Sequence, residues 1–129
     1  MVPLGGQRAL LYIAGQISRE GDRLLTGRCP DEVPVEEAAR RAKVCALNIL
    51  AQIESAVGLN NLEQLTQLTG FVLSTSEFGE QPKVLNGASD FLVDVLGEAG
   101  RHARAAIGSN SLPFSVTVEI AAVALVRTP

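Results

Sequence analysis

The sequence predicts an α+β fold, a mixed β-sheet with two helices packed on one of its faces, in the order β-β-α-β-α-β-β. Two windows carry apolar residues at steps of three and four, which is the spacing of one helical face. The segments around these windows are rich in strand-forming residues. Two helices cannot cover both faces of such a sheet, so we expect them to share one face. Residues 1–129 are predicted to form a single domain, because the length suits one and no linker interrupts it.

The first strands come early in the chain. The segment RALLYIAGQI is rich in strand formers and DRLLTG follows after Gly21, so a β-hairpin is predicted across residues 8–27. Ahead of it, Gly5-Gly6-Gln7 matches the tripeptide that peptide release factors use. A three-residue match needs its structural context to carry a function, so we assign none to it.

The two helices are marked by a change of period and by their end signals. Apolar residues recur at helical steps over residues 34–57, with a proline and two glutamates in the first turn and Gly58 as a stop. A second window of this kind opens at Pro82 and ends at Gly97. The first helix should be about 34 Å long at 1.5 Å per residue.

Three further strands are predicted in LEQLTQLTGFVLST, HARAAIG and SVTVEIAAVALV. In the last of these every residue from 120 to 125 is apolar, so both faces of the strand carry apolar side chains. That pattern is typical of a strand buried on both faces, and it predicts an interface between subunits on the face without helices.

Composition limits the partners and the compartment. The formal net charge is −3 and no basic run is longer than Arg40-Arg41, which argues against a nucleic-acid partner. Cys29 and Cys45 do not form a disulfide framework, and this favours a reducing compartment. The N-terminal segment lacks the features of a signal peptide and the apolar run IAAVALV is too short to span a bilayer. We expect a soluble, cytoplasmic protein with no membrane partner.

The chain lacks the common motifs of catalysis and metal binding. There is no Walker loop, no GxSxG and no CxxC, and His102 is the single histidine, without a second ligand at metal spacing. No zinc site can therefore be argued, and we propose no Ser-His-Asp set. On pattern alone His102 is more often a surface or hydrogen-bonded structural histidine than a catalyst.

Two charges near the end of the chain stand among apolar residues. Arg104 lies in a strand between alanines, on one face with His102 and Ala106, and its planar guanidinium can bind a carboxylate through two parallel hydrogen bonds. Glu119 lies within an apolar strand, where an unpaired carboxylate is costly. The two are either partners in an ion pair, or a carboxylate-binding group and a group that positions water; Arg104 can also be a plain charge at a sheet edge.

Two more positions are candidates for contact with a ligand. Gly15-Gln16 follows a strand, where a glycine lets a ligand approach the backbone closely, although an ordinary turn explains it equally. Asn86 lies one step off the apolar stripe of the second helix, so it is either a surface residue or a polar contact in a cleft.

Taken together, these segments resemble the reactive intermediate deaminase family (RidA, also called YjgF). AGQI is similar to the family's Ser-Gly-Gln-Ile/Leu signature, and KVLNGASDFL to its Val-Asn-x-x-Tyr-x-x-Phe helix start. The segment ARAAIGSNSLPFSVTVEIAAVAL resembles the signature Pro-Ala-Arg-Ser-x-Val…Leu-Pro…Val-Glu-Ile-Glu-Ala-Ile-Ala, with the arginine, Leu-Pro and Val-Glu-Ile at family spacing. The resemblance runs from about residue 10 to the end.

The resemblance implies a chorismate-mutase-like fold and a barrel-like homotrimer with clefts between subunits. It implies hydrolysis of 2-imino and 2-enamino acids to keto acids and ammonia, without a metal or an organic cofactor. Arg104 would hold the substrate carboxylate and Glu119 would help to place water. Gly15, Gln16, His102 and the backbone at Ala106 would lie near the ligand, with Asn86 approaching from a neighbouring subunit.

Departures from the family pattern indicate a divergent branch. Ser89 stands where the family often has tyrosine, Ala106 where it often has cysteine, and His102 where it usually has proline; the family's N-terminal tyrosine segment has no counterpart. A non-catalytic carboxylate-binding or regulatory trimer of the same fold is therefore the second interpretation. An endoribonuclease or translation inhibitor is a third, which the acidic balance argues against.

Overall fold

A computed structural model describes residues 1–128, and its main feature is a five-stranded sheet covered on one face by two helices. The elements in chain order are β1 (Val2–Gly5), β2 (Arg8–Ile17), β3 (Arg19–Glu20), β4 (Arg23–Leu24), α1 (Val35–Ala56), β5 (Leu62–Leu73), α2 (Gln81–Leu96), β6 (Ala103–Ser109) and β7 (Val118–Arg127). The strand order in the sheet is β1-β2-β7-β5-β6, and β3 and β4 form a separate hairpin. Only β5 and β6 run parallel, so the sheet is mixed and the predicted α+β class is confirmed.

Both predicted helices are confirmed to within a residue or two at their ends. Pro34 precedes the first turn of α1 and Gly97, with φ of +64°, follows the last turn of α2. Such a φ suits glycine, which is why the second helix stops there. The buried faces of both helices pack on the strands; the fully buried members include Ile49, Ile53, Leu85 and Leu92.

The hairpin predicted across residues 8–27 is wrong. β2 pairs with β1 on one side and with β7 on the other, and only residues 19–24 form a small hairpin of their own. Its partner on the N-terminal side, β1, has only four residues and all are exposed, so it has no buried face that would mark it as a strand. Gly5, Gly6 and Gln7 form the β1–β2 turn, all with positive φ, so the release-factor tripeptide is a structural turn here.

The apolar character of β7 on both faces is visible in its burial. Buried residues on the helix side alternate with half-buried ones on the other side, where Ala121, Val123 and Leu125 lie beside Tyr12 of β2. Tyr12 is 60% exposed in the single chain. The second face of the sheet is therefore open and largely apolar. Within residues 1–128, no helix is both long and apolar enough to cross a membrane.

Candidate functional site

Arg104 lies on β6, the free edge strand of the sheet, and reaches α2. Its Nη1 donates hydrogen bonds to Asn86 Oδ1 at 2.9 Å and to Ser89 Oγ at 3.2 Å. Asn86 and Ser89 are three residues apart on α2, so they share one helical face. These bonds place the Arg104 side chain on the helix side of the sheet and hold it at the rim.

Within residues 1–128, the Arg104 guanidinium has no carboxylate partner. Among the residues that the structure describes, only Arg104 and Arg23 are arginines without a salt bridge. The Nε and Nη2 groups of Arg104 donate to no other atom of residues 1–128, and the residue is exposed. A guanidinium with one side fixed and the other side free can bind a carboxylate through two parallel bonds.

His102 completes a polar cluster beside Arg104. Its Nε2 lies 2.8 Å from Ser89 Oγ and its Nδ1 lies 2.6 Å from the carbonyl oxygen of Gly100. Ser89, Val93, Arg101, His102 and Arg104 line a cavity of about 220 Å³. The structure thus brings together three predicted site residues, Asn86, His102 and Arg104.

Two residues of this cavity were missed as functional candidates. Ser89 was noted only as a departure from the family pattern, and Arg101 was not singled out. The signal for Ser89 was available, since it follows Asn86 by three residues and so shares its helical face. The resemblance implied that Asn86 comes from a neighbouring subunit, whereas here it contacts Arg104 of its own chain.

Glu119 lies on the opposite face of the sheet from Arg104. β5 separates their strands, and its Phe71 pairs with Glu119 on one side and with Ile107 on the other. Paired residues share a face, and Ile107 is three residues from Arg104, which points to the other face. Within residues 1–128, Arg104 and Glu119 form no salt bridge. The interpretation of these two residues as an ion pair therefore does not hold within a single chain.

Gly15 and Glu119 form a second cluster, on the open face. A Cβ added at Gly15 would lie 2.1 Å from Glu119 Oε2, so only glycine leaves room for this carboxylate. The β2–β7 register shifts between Ile13 and Gln16, and this bulge brings the Gly15 backbone over Glu119. The sequence predicted that a ligand approaches the Gly15 backbone closely, but within a single chain the Glu119 side chain occupies that position.

Gln16 and Ala106 lie away from the second cluster. Gln16 donates to the carbonyl oxygen of Ala14 at 3.0 Å and lines a separate cavity of about 310 Å³ with Asn48 of α1. Ala106 is half-buried on the helix side of β6, two residues beyond Arg104, and packs against the core. Within a single chain, the predicted site residues thus lie in three places. These are the Arg104 side of β6, which includes Ala106, the Gly15–Glu119 cluster, and the cavity that Gln16 lines.

Neither cysteine has the character of a nucleophile. Burial, followed by the charge of Glu119, raises the pKa of the Cys45 thiol, and burial raises the pKa of the Cys29 thiol. A raised pKa leaves little of the reactive thiolate at neutral pH. Residues 1–128 also contain no group of three or more His, Cys, Asp or Glu side chains that could hold a metal ion.

Comparison with known sequences supports one family. A sequence model of the family described as "YjgF/chorismate_mutase-like, putative endoribonuclease" matches residues 4–125. Protein TCP17 of Trypanosoma cruzi is 38% identical to this chain over 113 residues, which are 85% of this chain and 71% of that protein.

Comparison with solved structures gives the same fold. The protein Atu1372, of unknown function, from Agrobacterium tumefaciens is 45% identical with a TM-score of 0.89, over 96% of this chain and 80% of that one. A structure described as a "putative endoribonuclease" from Shewanella oneidensis is 28% identical with a TM-score of 0.84, over 95% of this chain and 81% of that one.

Proposed function

Because the chain belongs to the YjgF/chorismate-mutase-like family, we propose that it hydrolyses 2-imino and 2-enamino acids to 2-keto acids and ammonia, with Arg104 binding the substrate carboxylate. The observation that carries the proposal is the free half of the Arg104 guanidinium. It is held by Asn86 and Ser89, it opens to solvent, and within residues 1–128 it has no salt bridge. We propose the cytoplasm as its compartment, from the sequence argument on the two cysteines.

The chemistry asked of the protein is modest. An imine carbon is already electrophilic, so the reaction needs an oriented substrate and a delivered water more than a strong nucleophile. Fixing the carboxylate holds the adjacent imine carbon in one place, and such positioning can contribute about 7–11 kcal/mol to lowering a barrier. The proposal needs no metal and no organic cofactor.

We propose further that the working unit is a homotrimer with its sites between subunits. The open apolar face of the sheet would be covered by other copies, because monomeric proteins rarely expose large apolar patches. Glu119 and Gly15 of one copy would then face the Arg104 cluster of another, and Glu119 would help to place the attacking water. A monomeric mass in light scattering at micromolar concentration would contradict this assembly.

A second candidate is a non-catalytic trimer that binds small carboxylates. The observation that favours it is the lining of the Arg104 cavity, in which the described residues include no carboxylate to activate water. The endoribonuclease description of the family remains a third interpretation, which the net charge of −3 and the short basic runs argue against.

A coupled assay separates the first two candidates. An amino-acid oxidase generates 2-iminopropionate, semicarbazide traps the imine, and the protein should reduce the yield of semicarbazone. Arg104→Ala should abolish this effect, and binding of pyruvate should weaken at least tenfold, because the carboxylate loses a charged, bidentate partner. Arg23→Ala is the matched control, since Arg23 is the other exposed arginine without a salt bridge and lies on the β3–β4 hairpin.

The outcomes are distinct. In one, the wild-type protein fails to reduce the semicarbazone yield and yet binds pyruvate in a way that depends on Arg104. That result would refute the deaminase and support the non-catalytic carboxylate-binding trimer. Full activity of a folded Arg104→Ala variant would refute the role of Arg104 in binding the substrate carboxylate. Cleavage of RNA that persists through purification and in Arg104→Ala would instead support the nuclease.

A further inference from the structure

We propose that Ser89 and His102 form a proton relay beside Arg104, in which His102 is the base and the Ser89 hydroxyl carries the proton between it and the attacking water. This inference rests on the proposed deamination and names residues for its proton transfers. It makes Ser89 the group in contact with the reacting water, and it makes His102 the positioned acceptor behind it.

The hydrogen bonds determine which histidine nitrogen accepts. The Gly100 carbonyl oxygen can only accept, so the Nδ1 atom 2.6 Å away must carry the ring proton. In the neutral ring Nε2 is then an acceptor, and the Ser89 hydroxyl 2.8 Å away donates to it. A backbone carbonyl thus fixes the tautomer and orientation of His102, as a third group does in activated hydroxyl pairs.

Ser89 is also hydrogen-bonded to Arg104, the residue proposed to bind the substrate carboxylate. Its Oγ accepts from Arg104 Nη1 at 3.2 Å while its proton points to His102. A hydroxyl has two acceptor lone pairs, so one remains for the proton of a water molecule. A carboxylate on the free half of Arg104 holds its imine carbon one bond from the carboxylate carbon, and the attacking water would lie between that carbon and Ser89 Oγ.

Among the described residues of one chain, no acidic side chain lines this cavity. The cavity lining consists of Ser89, Val93, Arg101, His102 and Arg104, and Glu119 lies across the sheet. Among the described residues of one chain, the charged groups that line this cavity with His102 are Arg104 from β6 and Arg101, which pairs with Glu98 at 3.1 Å. From α2, the lining residues are the uncharged Ser89 and Val93. In the proposed trimer, Glu119 of another copy also faces this cavity.

The relay balances the reaction. Water adds to the protonated imine carbon, the C=N π pair moves to nitrogen, and one water proton passes to Ser89 Oγ as the Ser89 proton passes to His102 Nε2. The product is a neutral carbinolamine. In the collapse, the proton returns from His102 through Ser89 to the amine and the C–N bond breaks to release ammonia. As C=O forms, the hydroxyl proton passes to that ammonia and gives ammonium. The sum is protonated imine plus water giving keto acid plus ammonium.

The relay is tested with His102→Gln and Ser89→Ala in the full chain. Glutamine keeps an acceptor for the Ser89 hydroxyl but cannot take its proton, so it separates hydrogen bonding from proton transfer. We expect His102→Gln to bind pyruvate within about threefold of wild type, and both variants to lose about 100-fold in kcat, the order usual for a general base. Ser55→Ala, an exposed serine on α1, is the control that should not change kcat.

The pH profile and NMR give readouts that a structural role would not move. The dependence of kcat on pH should differ between wild type and His102→Gln, because only the wild type has a base at this position. Because His102 is the sole histidine, its ring nitrogens are assigned directly in a long-range ¹H–¹⁵N spectrum. We expect the Nδ1–H tautomer, and a shift of Nε2 when pyruvate binds.

Failure of the relay and failure of the proposed function give different results. A folded His102→Gln with wild-type kcat and pH profile, while Arg104→Ala is inactive, overturns the relay and leaves the deaminase. If His102→Gln does not fold, a fully active Ser89→Ala overturns the relay in its place. An Nε2–H tautomer in wild type overturns it whatever the activity. Absence of wild-type deaminase activity overturns the proposed function, and the relay with it.

Discussion

Gly87 sets the distance between the two helices, and its replacement by alanine should destabilise the fold. A Cβ added there would lie 2.0 Å from the carbonyl oxygen of Ala39 on α1, 2.6 Å from the carbonyl carbon and 2.9 Å from Cα. These are backbone atoms of a helix, so they cannot rotate away as the end of a side chain can. Gly87→Ala must therefore push α2 away from α1.

The magnitude follows from two opposing contributions. Overpacking a close-packed interior costs about 1–3 kcal/mol, and a clash with backbone places Gly87→Ala at the upper end. The better helix propensity of alanine offsets about 1 kcal/mol of this. The free energy of unfolding should therefore fall by about 2 kcal/mol, which corresponds to a Tm lower by about 7 °C for a domain of this size.

The assay is thermal unfolding followed by circular dichroism, with all proteins at one concentration because assembly would shift Tm. Gly79→Ala is the matched control: an added Cβ meets nothing within 4 Å there and the φ is not in the positive range. A Tm for Gly87→Ala equal to or above that of wild type would refute the argument from helix contact. Asn86 and Ser89 flank this contact on α2, so the variant should also bind pyruvate more weakly.

Two further predictions concern the carboxylates. Gly15→Ala should displace the flexible Glu119 side chain, since the new Cβ would lie 2.1 Å from Oε2. Deaminase activity should fall, while the Tm should stay within about 2 °C of wild type. Unchanged activity would mean that the reaction does not depend on the position of Glu119. Hydrogen bonds from Arg40 and Arg41 lower the pKa of Glu37 from 4.5 to about 2. Because the folded pKa lies below the unfolded one, the stabilisation is complete above about pH 4.5 and is lost as the pH falls toward 2. Urea midpoints should therefore drop less in Glu37→Gln than in wild type between pH 5 and pH 3, and equal drops would contradict this.

The helices were predictable because their signals are local. Period, a proline at the start and a glycine at the stop act within a few residues, and both helices formed where these signals placed them. β1 was not predictable in this way, since four exposed residues carry no pattern and only pairing with β2 defines them. The error over residues 8–27 has the same origin, because neighbouring strands in the sequence were taken as neighbours in the sheet.

The residue types of the site were visible in the sequence, but their grouping was not. Alternation along β6 correctly placed His102, Arg104 and Ala106 on one face. Whether that face meets Glu119 depends on the register of β6, β5 and β7, which no single strand encodes. The contact of Ser89 with His102 likewise exists only because α2 packs over the edge strand.

The sequence by itself determined the fold class, the two helices, the family resemblance and the choice of Arg104, since each depends on residue type and short-range spacing. Only the tertiary structure decided that Arg104 faces the helices with Asn86, Ser89 and His102, and that Glu119 faces the other way beside Gly15. The physical reason is that a side chain's partners are set by strand order and helix packing. Those arise from burial of the whole core, which short-range sequence signals do not specify.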